Sequence, residues 1–165
     1  MFRDIYKNKK VLVTGHTGFK GSWLTTWLIK LGADVVGISK DIPTNPSMFE
    51  ELGLEFKIKH YMEDIRDLSK MNEIISSEKP EILFHLAAQP IVSTSYSYPI
   101  ETISSNVMGT ANILESLKTS NHKCTAIIIT SDKAYDNVEQ VWGYKEDDKM
   151  GGKDIYSGSK GAAEL

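Results

Sequence analysis

The stretch "KKVLVTGHTGFKGSWL" (residues 9–24) constrains the fold more than any other part of the chain. Residues 9–15 form a short apolar run ending in glycine, the pattern of a buried strand. Gly15, Gly18 and Gly21 follow, and residues 19–31 then put Trp23, Leu24, Trp27, Leu28 and Leu31 on one helical face, with Gly32 as the stop. A glycine-rich turn between a strand and a helix has a specific use. One glycine allows the tight turn, another lets the backbone approach a pyrophosphate, and a third lets helix and strand pack closely. The helix N-terminus adds free N–H groups and a partial positive charge. Gly15, Thr17, Gly18, Phe19, Lys20 and Gly21 are therefore candidate dinucleotide-binding residues. A tight strand–helix turn with no ligand is the plainer alternative.

The rest of the chain keeps alternating. Residues 34–38 ("DVVGI") are a second strand, 43–53 a turn-rich stretch with one short helix, and 55–61 a third strand. Residues 68–79 carry Leu68, Met71, Ile74 and Ile75 at helical spacing, and Pro80 ends that helix. Residues 81–88 ("EILFHLAA") are a fourth strand, 99–118 a longer helix, and 125–130 a fifth strand. The long helix shows the stripe Ile100, Ile103, Val107, Ala111, Leu114 and Leu117. Residues 136–153 are the longest loop, and the chain is helical again from Tyr156. This order predicts an α/β fold: a doubly wound parallel sheet, Rossmann-like, in three α/β/α layers over residues 1–165. The last helix has no stop signal, so the chain reads as the front part of a longer protein.

Composition removes several function classes. With 165 residues and a net charge of −3, the chain has no basic surplus to neutralise nucleic-acid phosphates. No apolar run approaches the roughly 20 residues of a membrane helix. One cysteine, Cys124, cannot form an internal disulfide, which fits a reducing, cytoplasmic setting; its place at the start of a strand makes it a small core residue. His16, His60, His85 and His122 show no metal-ligand spacing.

Polar residues gather after each strand. Asp41, 20 residues past Gly21, is placed to accept from a ribose 2′-hydroxyl, which favours NAD; Ser39 with Lys40 could instead accept a 2′-phosphate, so NADP stays open. Asp64 and Ile65 could meet an adenine, although Asp64 or Asp67 could equally cap the following helix. Leu86, Ala87 and Ala88 are small or apolar enough for a cofactor to lie against the backbone. Tyr156 and Lys160 are four residues apart and share a helix face. An ammonium near a phenol brings its pKa of about 10 towards working pH, so the phenolate can take a proton from an alcohol. Ser131, Asp132 and Lys133 leave the fifth strand as a hydroxyl, an acid and an amine.

Together these pieces resemble the extended short-chain dehydrogenase/reductase family over nearly the whole chain. The strings "VTGHTGFKGSWL", "PTNPSMFE", "HLAAQP", "NVMGT", "TSDKAYDN" and "GYKEDDKMGGKDIYSGSKGAAEL" are similar to its nucleotide-sugar 4,6-dehydratases, the CDP-glucose branch above all. The resemblance implies NAD as cofactor and CDP-glucose or another nucleotide-sugar as substrate. It gives Tyr156 the role of base and Lys160 that of tuning it, both of them also contacting the cofactor, and Ser131 a hydrogen bond to the C4 oxygen. Asp132 would protonate the leaving C6 hydroxyl and Lys133 would take the C5 proton, each through a pKa shifted by burial; an ordinary Asp132–Lys133 ion pair is the alternative. The resemblance also implies a homodimer or higher homo-oligomer formed through helix 99–118 and the Tyr156 helix. It implies that a C-terminal substrate region is absent from these residues, so the stretch alone turns over little. Two positions depart from the pattern: Ser93 and Thr94 lie where an arginine is frequent, and Ile155 where proline is common.

Overall fold

In the computed structural model, which describes residues 2–165, five parallel strands form one sheet in the order β3-β2-β1-β4-β5. They are β1 (Lys10–Thr14), β2 (Asp34–Ser39), β3 (Lys59–Met62), β4 (Ile82–His85) and β5 (Thr125–Ile128). The chain builds outwards from β1 to β3 on one side, then crosses to β4 and β5 on the other. The order therefore reverses between β1 and β4, the place where open α/β sheets leave a crevice at the carboxyl ends of their strands. Register sets the floor of that crevice: Thr14 lies opposite Ile38 on one side and His85 on the other.

Each sheet face has its own core. Val11, Val13 and Val35 pack with Leu28 of α1 (Phe19–Lys30) on one face. Leu12, Val36, Ile38 and Leu83 pack with Met71, Ile74 and Ile75 of α3 (Leu68–Glu78) on the other, joined by Ile113. The alternation along β1 sends successive side chains to opposite faces, so both must be covered. This is the three-layer Rossmann-like arrangement expected. Asp67 caps α3 by accepting from the Lys70 N–H at 3.0 Å. A short helix α2 (Met48–Glu51) follows β2.

The described residues divide into two compact units. The first, holding the whole sheet, runs to Ala87 and resumes at Asn112–Ile129; the second is Ala88–Ala111 with Thr130–Leu165. The second unit holds α4 (Val92–Ser97), α5 (Pro99–Ile103), a π-helical turn (Ser104–Met108) and a 3-10 turn (Asp132–Ala134). Its last helix is α7 (Ile155–Glu164), which packs against all four. Helix α6 (Gly109–Thr119) begins in the second unit and ends in the first.

Some expectations are corrected. The stretch 55–61 opens with a 3-10 turn (Leu54–Phe56), and β3 begins only at Lys59. Trp23 and Trp27 are 57% and 49% exposed, while Gly21, Ser22, Thr25 and Leu28 are buried. Close helix–sheet approach requires small residues on the inner face, so the large aromatics are turned outwards. The long helix is reversed in the same sense. Ile100, Ile103 and Leu114 are exposed, whereas Thr102, Ser105, Asn106, Asn112 and Ser116 are buried, and the side chains of Thr102, Asn106 and Asn112 are hydrogen-bonded. Cys124 is half-buried beside the α3-side core, and burial raises its thiol pKa. Among the described residues no helix is long and apolar enough to cross a membrane, and no cluster of three or more potential ligands could hold a metal ion.

Candidate active site

The glycine turn is fixed by backbone sterics in the first unit. Gly15 has φ of +74°, and a Cβ there would lie 2.8 Å from the Ala87 nitrogen. A Cβ on Gly21 would overlap the Gly15 carbonyl oxygen and lie 2.7 Å from His16 Cα. These two glycines serve the turn and the close packing of α1. Gly18 is different: its nearest neighbour would be 3.5 Å away, so it is open rather than crowded. It stands at the N-cap of α1, where no side chain caps the free N–H groups. An open glycine before uncapped helix N–H groups fits a pyrophosphate.

The crevice floor is hydrogen-bonded through Thr14. Its hydroxyl lies 2.7 Å from His85 Nδ1 and accepts from the Leu86 and Ala87 N–H groups at 3.2 and 3.1 Å. This pins Leu86 and Ala87 beside Gly15; Ala88 begins the second unit. Phe19 and Lys20 stand exposed at the start of α1. At the end of β2, Ser39 is 5% exposed and its hydroxyl is already engaged by His16 Nδ1 at 2.9 Å and the Thr17 N–H at 3.3 Å. Thr17 also donates from Oγ1 to the Asp41 carbonyl at 2.7 Å. The Asp41 side chain is 61% exposed, with Lys40 Nζ 4.0 Å away. The edge therefore presents a carboxylate, while the serine considered for a 2′-phosphate faces inwards. Asp64 is held by Arg66; burial alone would raise its pKa, but the Arg66 hydrogen bonds and charge outweigh that and lower it. Ile65 is buried within the α3-side core.

The second unit carries the proton-transfer candidates. Ser131 caps the 3-10 turn: its hydroxyl accepts from the Lys133 N–H at 3.2 Å and donates to Asp132 Oδ1 at 3.0 Å. Asp132 and Lys133 are exposed, so the burial expected for both is not found. They stand on a one-turn helix at the surface, with too little chain packed over them to exclude water. Lys133 lines an open cavity of ≈430 Å³ with Val92, Tyr135, Asp136, Lys153 and Ser157. Tyr156 and Lys160 are only 7% and 6% exposed, and Lys160 Nζ lies 6.0 Å from the Tyr156 ring centroid. Burial lowers the Lys160 pKa. Asp154 caps α7 by accepting from the Ser157 N–H at 2.8 Å. Gly161 lets the helix lie against the 3-10 turn, since a Cβ there would be 3.3 Å from the Ala134 oxygen.

Asn106, 1% exposed, escaped the sequence reading. Its Oδ1 accepts from the Gln89 N–H at 2.8 Å, and its Nδ2 donates to the Gln89 carbonyl at 3.2 Å and to Ser159 Oγ at 2.9 Å. Ser159 in turn donates to the Tyr156 carbonyl at 2.7 Å. A polar side chain therefore braces α7 between its tyrosine and its lysine. The signal was available in Thr102, Ser105 and Asn106, whose spacing puts three polar residues together on one side of the helix, off the apolar stripe.

Residues 12–165 match the family model described as GDP-mannose 4,6 dehydratase. The chain belongs to this family. Within it, the chain is 53% identical to CDP-glucose 4,6-dehydratase of Salmonella typhimurium over 163 residues, which covers 99% of the chain and 45% of that protein. Among solved structures it is similar to UDP-glucose 4-epimerase of Thermotoga maritima with UDP-glucose. The TM-score is 0.81 at 28% identity, covering 94% of this chain and 48% of that one. MoeE5 in complex with UDP-glucose and NAD gives a TM-score of 0.76 at 27% identity, covering 94% and 46%. The family member described here spans about half the length of these relatives, and the expected resemblance to the nucleotide-sugar 4,6-dehydratases of the extended short-chain dehydrogenase/reductase family is borne out.

Proposed function

We propose that the protein carrying this sequence is a nucleotide-sugar 4,6-dehydratase, a hydro-lyase that converts CDP-glucose to CDP-4-keto-6-deoxyglucose. The 53% identity to CDP-glucose 4,6-dehydratase across 99% of the chain carries this reading. The cradle at Gly15, Thr17, Gly18 and Gly21 would hold the pyrophosphate of NAD, with Asp41 at the ribose edge. The inward-facing Ser39 supports NAD over NADP. When bound, NAD supplies the reversible hydride exchange. Tyr156 takes the C4 hydroxyl proton, and Lys160 keeps the phenolate accessible. Ser131 donates to the C4 oxygen. The C4 ketone acidifies the C5 proton, which Lys133 would remove while Asp132 protonates the departing C6 hydroxyl; the hydride taken from C4 would then be returned to C6 as Lys133 gives its proton back to C5. Both need drier surroundings than this chain gives them, so the 165-residue stretch alone turns over little in this proposal. A second copy would pack on the exposed Ile100, Ile103 and Met108 of the second unit. The protein would work in the cytoplasm.

The test is to incubate the whole protein with CDP-glucose and follow the ketone chromophore that 4-keto-6-deoxy products develop in alkali. Product is expected with CDP-glucose. Product only with dTDP- or GDP-sugars would move the substrate assignment, and no product with any of them would overturn the dehydratase reading.

A further inference from the structure

His16 lies in the middle of the glycine turn yet is fully buried beneath it. Its ring covers Gly37 of β2, where any Cβ would come within 2.5 Å of the imidazole. Phe49 and His60 pack edge-on against it at centroid distances of 5.1 and 5.5 Å. Between these rings, Nδ1 is directed at Ser39 Oγ, 2.9 Å away. Ser39 accepts from the Thr17 N–H at 3.3 Å, which leaves its own O–H free to donate to Nδ1. Thr17 is tied a second time through Oγ1 to the Asp41 carbonyl, and the His16 carbonyl accepts from Ser22 Oγ at 3.1 Å. A loop rich in glycine has little side-chain packing to hold its shape, and Ser39 supplies a side-chain anchor from the neighbouring strand.

We propose that His16, acting through Ser39, is a positioning residue for the cofactor loop, holding the turn from Gly15 to Gly18 in the shape that meets a dinucleotide's pyrophosphate. The proposal rests on the dinucleotide-binding reading but not on the dehydratase reaction. It gives Ser39 an anchoring task in place of a contact with the cofactor ribose. Removing it should therefore weaken NAD and NADP alike, and weaken only ligands that possess the pyrophosphate.

The experiment measures binding of NAD, NADP, ADP-ribose and adenosine to the whole protein stripped of nucleotide, by calorimetry. His16→Leu keeps the bulk and removes Nδ1; His16→Asn restores a polar atom near the place of Nδ1; Ser39→Ala enters the same network from its other end. His16→Leu and Ser39→Ala should each weaken NAD, NADP and ADP-ribose about 10-fold, the size of one lost buried hydrogen bond, with adenosine within about twofold of the parent. The double variant should be no worse than either single one, and His16→Asn should recover most of the loss. Unchanged NAD binding in His16→Leu, equal losses for adenosine and NAD, or multiplied losses in the double variant would each overturn the proposal. If His16→Leu does not fold, Ser39→Ala decides: an unchanged ratio of NAD to adenosine affinity would overturn it. A parent protein that binds adenosine but no dinucleotide would overturn the underlying reading as well.

Discussion

The two compact units solve opposite problems. The first builds its site from backbone: a left-handed Gly15, a Gly21 with no space for a Cβ, uncapped N–H groups on α1, and a floor tied through Thr14. Its charged groups are settled by partners inside the unit, as Glu78 is by Lys10, Lys59 and Tyr61. The second unit builds its site from side chains. Tyr156 and Lys160 sit buried on a braced helix, while Asp132 and Lys133 stand exposed on a short turn. Binding a dinucleotide needs a rigid cradle that is complete beforehand. Moving protons needs groups whose surroundings change when substrate arrives.

That contrast can be broken by stability measurements. Glu78 should show the largest effect, because its carboxylate is 4% exposed and joins α3 to β1 and β3. Burial would raise its pKa, but Lys59, Tyr61 and Lys10 overcome this and hold it at about 2. Glu78→Ala should cost about 2–4 kcal/mol in denaturant unfolding, softened from the full buried-pair figure because its lysines can turn to water. A loss under about 1 kcal/mol would show that the first unit does not depend on internal charge pairing.

The next largest effect is a pH dependence. Burial lowers the His16 pKa from 6.5 to about 4. Below pH 6.5 the unfolded chain takes up a proton that the folded ring refuses. Stability should therefore fall as pH drops from about 6.5 to about 4, by roughly 2–4 kcal/mol from this group. Glu78 adds a second loss in a lower window, from about 4.5 to about 2, as the folded carboxylate finally protonates. Urea titrations between pH 7 and 2 of the parent and His16→Asn would separate the two: the variant should lose the upper slope and keep the lower one. The smallest effect belongs to the second unit. Lys149 pairs with Asp136 at 2.9 Å but is 81% exposed, so Lys149→Met should change stability by less than about 1 kcal/mol. A larger loss would blur the distinction between the units.

What could be read from the sequence follows the same division. The cradle was legible because glycine at three spaced positions after an apolar strand has few other uses, and each strand except β3 was visible as an apolar run. The buried side of the long helix was not legible. Periodicity assigns the apolar stripe to the core, yet here Asn106 and Asn112 occupy the inner face and hydrogen-bond backbone groups distant in sequence. Long-range polar partners leave no local pattern. Ser131, Asp132 and Lys133 could be placed after β5, but whether they are dry depends on what packs over them, and spacing says nothing about that. The sequence marked His16 only by its lack of metal-ligand spacing, since its burial depends on Gly37 lying beneath its ring.

In the proposed function the glycine cradle of the first unit is the main hold on the cofactor, and the Tyr156 hydroxyl moves the proton. Tyr156→Phe in the whole protein tests this division most directly, with NAD content and turnover of CDP-glucose measured on the same sample. NAD content should match the parent while formation of the 4-keto product falls about 10²–10⁴-fold, the usual range for a lost general base. Turnover within a few-fold of the parent, or NAD lost together with activity, would contradict it.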